Sequence, residues 1–74
     1  MKTYSVTKFF IENNLVMNYP TEILHSSNEL FECAQDFFNN GKIYSTHEED
    51  SNELYIKCVG DDTKIIHVLE INQK

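Results

Sequence analysis

The amphipathic segment from Ser26 to Gly41 limits the possible folds of this chain more than any other part of the sequence. On a helical wheel, its apolar and acidic side chains separate onto two faces. The apolar stripe consists of Leu30, Phe31, Ala34, Phe37 and Phe38. The acidic face consists of Glu29, Glu32 and Asp36. This pattern predicts a surface helix whose aromatic stripe packs on a core.

Both ends of the predicted helix carry boundary signals. Ser26 stands three residues before Glu29, which is the spacing of a capping box, and Ser27 is an equally plausible cap. In a capping box the serine hydroxyl accepts a hydrogen bond from an amide at the helix start, and the glutamate returns a contact to the cap. The Asn-Asn-Gly run at 39–41 tolerates the left-handed conformation that ends many helices. We therefore expect the helix to end near residue 38.

The hydrophobic period changes after Gly41 from helical to alternating, which is the pattern of β-strands. Three strands are predicted, over Lys42 to His47, Glu53 to Val59 and Lys64 to Ile71. An exposed acidic loop at 48–52 and a hairpin turn at 60–62 separate them. Because these connections are short, the three strands should form an antiparallel meander.

The first 25 residues carry mixed signals. Many β-formers lie between Thr3 and Ile11, yet the spacing of the apolar residues there also fits one helical face. A short helix over about residues 6 to 13 is the favoured interpretation, followed by an extended segment or hairpin. Strand-like residues from Leu15 to Tyr19 and from Glu22 to His25 would form that second part, with Pro20 between them.

These elements predict an α+β fold in a single domain, residues 1–74. One capped amphipathic helix should pack on an antiparallel sheet of three or more strands. The expected core is Phe31, Ala34, Phe37, Phe38, Leu54, Ile56, Ile65, Leu69 and Ile71. The sheet face away from the helix should carry Tyr44, Tyr55, Ile66 and Val68.

The size and charge of the chain restrict its functions. A chain of 74 residues buries only about 60% of the surface of its unfolded form, which is little for a catalytic pocket. Its net charge is −6, and it contains six lysines and no arginine. Binding to nucleic acids or anionic membranes depends on neutralising phosphates, so we expect neither direct nucleic-acid binding nor membrane binding. Without a signal-peptide pattern or an apolar run of about 18 residues, a cytoplasmic location is expected.

The cysteines and histidines do not form a recognisable reactive or metal-binding motif. Cys33 lies among helix carboxylates, which would raise the pKa of its thiol and weaken it as a nucleophile. A zinc site built from His47, His67 and Cys58 would need convergent ligands that their spacing does not favour. We therefore expect two free cysteines, no metal, no cofactor and no enzymatic activity.

The carboxylates provide the one positive indication of function. Glu29, Glu32 and Asp36 rise along one edge of the helix in steps of about 4.5 and 6 Å, which is similar to the spacing of successive phosphates on a nucleic-acid strand. Glu48, Glu49 and Asp50 form a second cluster in the acidic loop. Together these six residues are the predicted partner-binding residues, for a protein partner with a basic surface. The alternative is that both clusters are merely solvated.

In size, acidity and lack of arginine, the chain resembles the small inhibitors that phages encode against host nucleases, including anti-CRISPR and glycosylase-inhibitor proteins. This resemblance is one of composition; it covers no alignable segment and assigns no residue a role. It implies a nucleic-acid mimic that blocks a basic groove, and the absence of arginine beside abundant Asn, Lys and Ile fits an AT-rich phage or bacterial genome. The other open hypothesis is a non-catalytic structural or accessory protein, such as a small homodimer that uses apolar sheet surface.

Overall fold

A computed structural model describes residues 2–72 of the chain. These residues form one helix and six strands, which confirms the predicted α+β fold. The elements, in chain order, are β1 (Lys2–Glu12), β2 (Leu15–Asn18), β3 (Glu22–Leu24), α1 (Ser27–Phe37), β4 (Ile43–His47), β5 (Glu53–Cys58) and β6 (Asp61–Asn72). The predicted meander is present as β4, β5 and β6.

The N-terminal segment is a strand, so the predicted short helix over residues 6 to 13 is wrong. β1 pairs with β6 on one side and with both β2 and β3 on the other. Asn13 and Asn14 both adopt positive φ angles, of 54° and 65°, which suit the two-residue turn between β1 and β2. The hairpin that was expected after this helix is instead formed by β1 and β2.

All six strands belong to one antiparallel sheet with the order β2-β1-β6-β5-β4. The long strands β1 and β6 form its centre, paired from Lys2 with Asn72 to Phe10 with Lys64. β3 lies on the same side of β1 as β2, next to a different part of that strand. One edge of the sheet is thus formed by β2 and β3, and the other edge by β4.

Helix α1 begins and ends at the predicted positions. The Ser26 side-chain oxygen accepts a hydrogen bond from the Glu29 amide at 3.1 Å. The Glu29 carboxylate in turn accepts one from the His25 amide at 2.8 Å, one residue before the contact that a standard capping box makes. At the other end, Asn39 and Asn40 have φ angles of 54° and 60°, and the helix stops there as expected.

The core lies between α1 and one face of the sheet, which we call the helix side. Its buried apolar residues are Tyr4, Val6, Leu30, Ala34, Phe38, Leu54, Ile56, Ile66 and Val68. Four predicted core residues, Ala34, Phe38, Leu54 and Ile56, are among them. Phe37 is partly buried against this core. Phe31 is 58% exposed, so its predicted place in the core is wrong.

The two faces of β6 are the reverse of the prediction. Ile66 pairs with Ile56 and Val68 pairs with Leu54, and residues paired across antiparallel strands point to the same face. Ile66 and Val68 are therefore buried on the helix side, with no exposed surface. The expected core residues Ile65, Leu69 and Ile71 alternate with them and lie on the opposite face.

We call that opposite face the open face, because the one helix of the described chain packs on the other side. The register confirms Tyr44 and Tyr55 on the open face, since Tyr44 pairs with Lys57 and Thr46 pairs with Tyr55. Ile66 and Val68, which were expected there, are not available at this surface.

Gly41 occupies a crowded position where the chain leaves α1 for β4. A Cβ atom at this position would lie 2.7 Å from the Cys58 sulfur and 3.0 Å from the Phe38 carbonyl oxygen. We expect Gly41→Ala to lower the free energy of unfolding by about 1–3 kcal/mol, as other overpacking substitutions do. Urea denaturation of the variant measures this cost.

A double-mutant cycle isolates the cause of that cost. Cys58→Ala removes the sulfur, so Gly41→Ala should cost clearly less in the Cys58→Ala background than in the parent. An equal cost in both backgrounds would show that the sulfur contact is not responsible. Gly60 lies in the β5–β6 turn with open space around it, although its φ of 82° favours glycine on conformational grounds.

Candidate binding groove

The acidic edge of α1 borders an open groove of about 500 Å³, which we call the acidic groove. The groove lies between the helix and the sheet edge formed by β2 and β3. The residues lining it are Lys8, Tyr19, Glu22, Glu29, Glu32, Cys33, Asp36 and Phe37. Three of the six predicted partner-binding residues, Glu29, Glu32 and Asp36, are therefore brought together at one concave surface.

The sheet supplies the other side of the acidic groove. Lys8 lies two residues after the buried Val6 in β1, and side chains two apart in a strand share a face, so Lys8 is on the helix side. Glu22 pairs with Val6 from β3, so its side chain also faces α1. The Tyr19 amide donates to the Lys8 carbonyl at 2.9 Å, which holds Tyr19 beside Lys8 just beyond the end of β2.

Four carboxylates surround this groove, and they differ in how they are used. The Glu22 carboxylate lies 3.2 Å from the Lys8 ammonium group, and the Glu29 carboxylate accepts a hydrogen bond from the His25 amide. Glu32 and Asp36 are exposed, and within residues 2–72 neither forms an ion pair. The groove thus keeps two solvent-facing carboxylates whose charge is not balanced by a neighbouring side chain of the described chain.

Two aromatic rings, those of Tyr19 and Phe37, also line the groove. The Lys8 ammonium group lies 5.5 Å from the centre of the Tyr19 ring and 5.8 Å from the centre of the Phe37 ring. Lys64 approaches Phe37 as well, with its ammonium group 5.3 Å from the ring centre and 3.1 Å from the Phe37 carbonyl oxygen. A cation within about 6 Å of a ring face is attracted to it. The Lys8 ammonium group therefore lies against aromatic rings as well as near a carboxylate within this groove.

The Cys33 thiol lies in the same groove and has a raised pKa. Burial is the main cause, because a thiolate is poorly solvated there, and the Glu22 and Asp36 carboxylates raise the pKa further. The Lys8 ammonium group acts in the opposite direction. The direction agrees with the sequence prediction, although burial contributes more than the helix carboxylates. A thiol with a raised pKa stays protonated at neutral pH.

The other three predicted binding residues lie elsewhere. Glu48, Glu49 and Asp50 are exposed in the β4–β5 loop, at the sheet edge opposite the one that borders the acidic groove. Asp50 has a φ of 59°, and the loop is closed by a hydrogen bond from the Glu48 amide to the Glu53 carbonyl at 3.2 Å. The six residues therefore form two separate acidic surfaces, and this second cluster lines no part of the groove.

The sequence prediction missed Lys8, Tyr19 and Glu22 as groove residues. All three lie in the N-terminal segment, whose strand character was not recognised. Had residues 2–12 been assigned to a strand, the spacing of two residues between Val6 and Lys8 would have placed both on the face that packs on the helix. Phe37 was predicted to be a core residue. It packs partly against the core, and its remaining surface lines the groove.

The remaining histidines and acidic residues show no metal-binding arrangement in the part of the chain described. Across residues 2–72, no three His, Cys, Asp or Glu side chains converge as metal ligands would. His67 lies on the open face, with its Nε2 atom 3.6 Å from the Glu53 carboxylate and its ring centre 5.1 Å from that of Tyr55. The Asp61 carboxylate accepts hydrogen bonds from the Thr63 hydroxyl and amide, which lower its pKa.

Comparison with known proteins adds no assignment. The chain matches no protein-family model, and no curated protein or solved structure is significantly similar to it. In residues 2–72, α1 is too short and too polar to cross a membrane.

Proposed function

We propose that this protein is a small protein-binding module that docks on a basic surface of a partner protein through its acidic groove. The observation that carries this proposal is the convergence of four carboxylates from α1 and β3 on one groove with aromatic walls. Where the partner surface serves to bind nucleic acid, docking would occlude it. The protein would then act as an inhibitor by mimicking a nucleic acid, in the manner of the phage inhibitors that it resembles in composition.

Charge favours this mode of association. The chain carries −6, and the exposed Glu32 and Asp36 stand at the rim of the groove, where an approaching partner meets them first. Complementary charge steers two proteins together and mainly increases the association rate. Lysine or arginine side chains of the partner could then place their cationic groups against Tyr19 and Phe37, as Lys8 already does within the molecule.

Removing the two rim charges should weaken this docking. We expect the double variant Glu32→Gln with Asp36→Asn to capture much less of any basic partner from a bacterial lysate than the parent bait does. Both side chains are exposed and lie away from the buried stripe of α1, so the fold should be unchanged. Capture by the parent should also decrease with added salt, because exposed charges are screened over about 8–10 Å at physiological ionic strength.

A matched control removes two charges outside the groove. Glu48→Gln with Glu49→Gln removes two negative charges, as the groove variant does, so it separates the effect of the groove from a general effect of acidity. This control should capture the same proteins as the parent, and added DNA should compete with the parent for them. If both variants capture the partner as well as the parent, and added DNA fails to compete, the acidic groove is only a solvated surface.

A further inference from the structure

The open face has an apolar surface that the folded chain leaves in contact with water. Five aliphatic side chains there are between 38% and 68% exposed: Ile11, Val16, Ile23, Leu69 and Ile71. Isolated exposed apolar residues are common on proteins, but contiguous apolar patches of more than a few hundred Å² are rare on monomers and mark interaction sites. Contiguity is therefore the property that decides what this face means.

The strand register shows that these residues are neighbours. Ile11 pairs with Val16 across β1 and β2. Ser5 pairs with Ile23 on one side and with Leu69 on the other, so the small serine lies between two aliphatic side chains. Further along the same two central strands, Phe9 pairs with Ile65, and both are partly buried. The open face thus carries apolar side chains from the β2–β3 edge across the two central strands, with the partly buried pair Thr7 and His67 between its two ends.

The open face is also nearly neutral, in contrast to the rest of the molecule. Among the strand positions that the register assigns to it in residues 2–72, Glu53 and Lys57 carry formal charges of opposite sign. Asp61, at the β5–β6 turn, adds one negative charge beside Lys57 and Ile65 at the end of this face. Most of the net charge of −6 is therefore carried by other surfaces. A basic partner or a nucleic acid gains no electrostatic attraction at such a face, whereas a second copy of this acidic chain meets less repulsion here than at its acidic surfaces.

The area of the open face fits association with a second copy. The face spans five strands about 4.8 Å apart, and the nine residue pairs of β1 with β6, at about 3.3 Å per residue, make it about 30 Å long. The area of the whole face, polar positions included, is therefore on the order of 700 Å². That area is close to the roughly 800 Å² that each partner contributes to a standard stable interface. The open face also lies opposite the acidic groove, so association there leaves the groove accessible.

We propose that two copies of this chain associate through their open faces, which goes beyond the docking proposed for the acidic groove. The two sheets would pack face to face about 10 Å apart, with a helix on each outer side. Such a dimer is symmetric and uses the same patch on both copies. Leu69 lies on a central strand and would be close to the middle of the interface.

Sedimentation velocity over a wide range of concentrations tests this proposal. The parent should sediment as two chains at high concentration and as one at low concentration. Leu69→Lys introduces a charge into the apolar patch of both copies, so this variant should sediment as one chain throughout. Leu15→Lys is the matched control, because Leu15 is 65% exposed but pairs with Glu12 on the helix side; it should still sediment as two chains.

A second variant protects the test against a loss of folding. Ile23 is 51% exposed on the short edge strand β3, so Ile23→Lys should weaken association while retaining the parent's circular dichroism spectrum. A parent that remains one chain at every concentration would overturn the proposal. So would a dimer that persists in both the Leu69→Lys and Ile23→Lys variants, because it would have to form through another surface, such as the β4 edge.

Discussion

Replacing Phe38 by alanine is expected to lower the free energy of unfolding by about 3–5 kcal/mol, the usual cost of deleting a buried aromatic side chain. Phe38 is 5% exposed at the C-terminal end of α1, and its ring centre lies 5.2 Å from that of Phe37. A single core in a chain this small rarely supplies more than about 3–5 kcal/mol. The variant should therefore be largely unfolded, and circular dichroism with urea denaturation would show this.

Phe31 provides the matched control for Phe38 because it is the same residue type on the same helix. It is 58% exposed, so Phe31→Ala should change the free energy of unfolding by about 1 kcal/mol or less. Phe37 is partly buried and should give an intermediate cost. A similar loss for Phe31→Ala and Phe38→Ala would mean that α1 is rotated about its axis, so that Phe31 also packs on the sheet.

The helix and the C-terminal meander could be predicted because their signals are local. Ser26, Glu29 and the Asn-Asn-Gly run define the ends of α1 through contacts within a few residues, and these contacts are present. The acidic loop and the turn near Gly60 separate β4, β5 and β6 in the same local way. A prediction that depends on such short-range chemistry does not require knowledge of the tertiary structure.

The N-terminal strand could not be predicted for the opposite reason. The residues from Val6 to Asn13 fit a helical face and a strand about equally, and the choice depends on pairing with β6, some 60 residues away in sequence. The same limit applies to β6, which is apolar on both faces. Only the register with β5, through Ile56 and Ile66, decides which face meets the helix.

Part of the candidate site could be predicted from local signals, and the rest depends on long-range strand pairing. The carboxylates of α1 follow from the helical wheel, and the structure places them on one edge as expected. The groove that they border depends on Lys8, Tyr19 and Glu22, which reach it through the sheet. A helical wheel describes one element, whereas a concave surface requires two.

The assignment of the two faces of β6 leads to the second large effect. Ile66 has no exposed surface and Ile65 is partly exposed, although the two residues are adjacent and have the same side chain. We expect Ile66→Ala to lower the free energy of unfolding by about 2–5 kcal/mol, and Ile65→Ala to lower it by about 1 kcal/mol or less when the protein is dilute. Urea denaturation of both variants at low concentration measures the difference. A larger loss for Ile65→Ala would restore the orientation of β6 that the sequence suggested.

Protein concentration extends this comparison to the open face. If two copies associate there, the folded state is stabilised by association, and this stabilisation increases with concentration. Ile65→Ala removes apolar surface from the open face, so its cost should rise when denaturation is repeated at high concentration. Ile66→Ala acts within the core of each copy, and its cost should change little. A cost of Ile65→Ala that is the same at both concentrations would confine this residue to a role within the single chain, and would count against the proposed dimer.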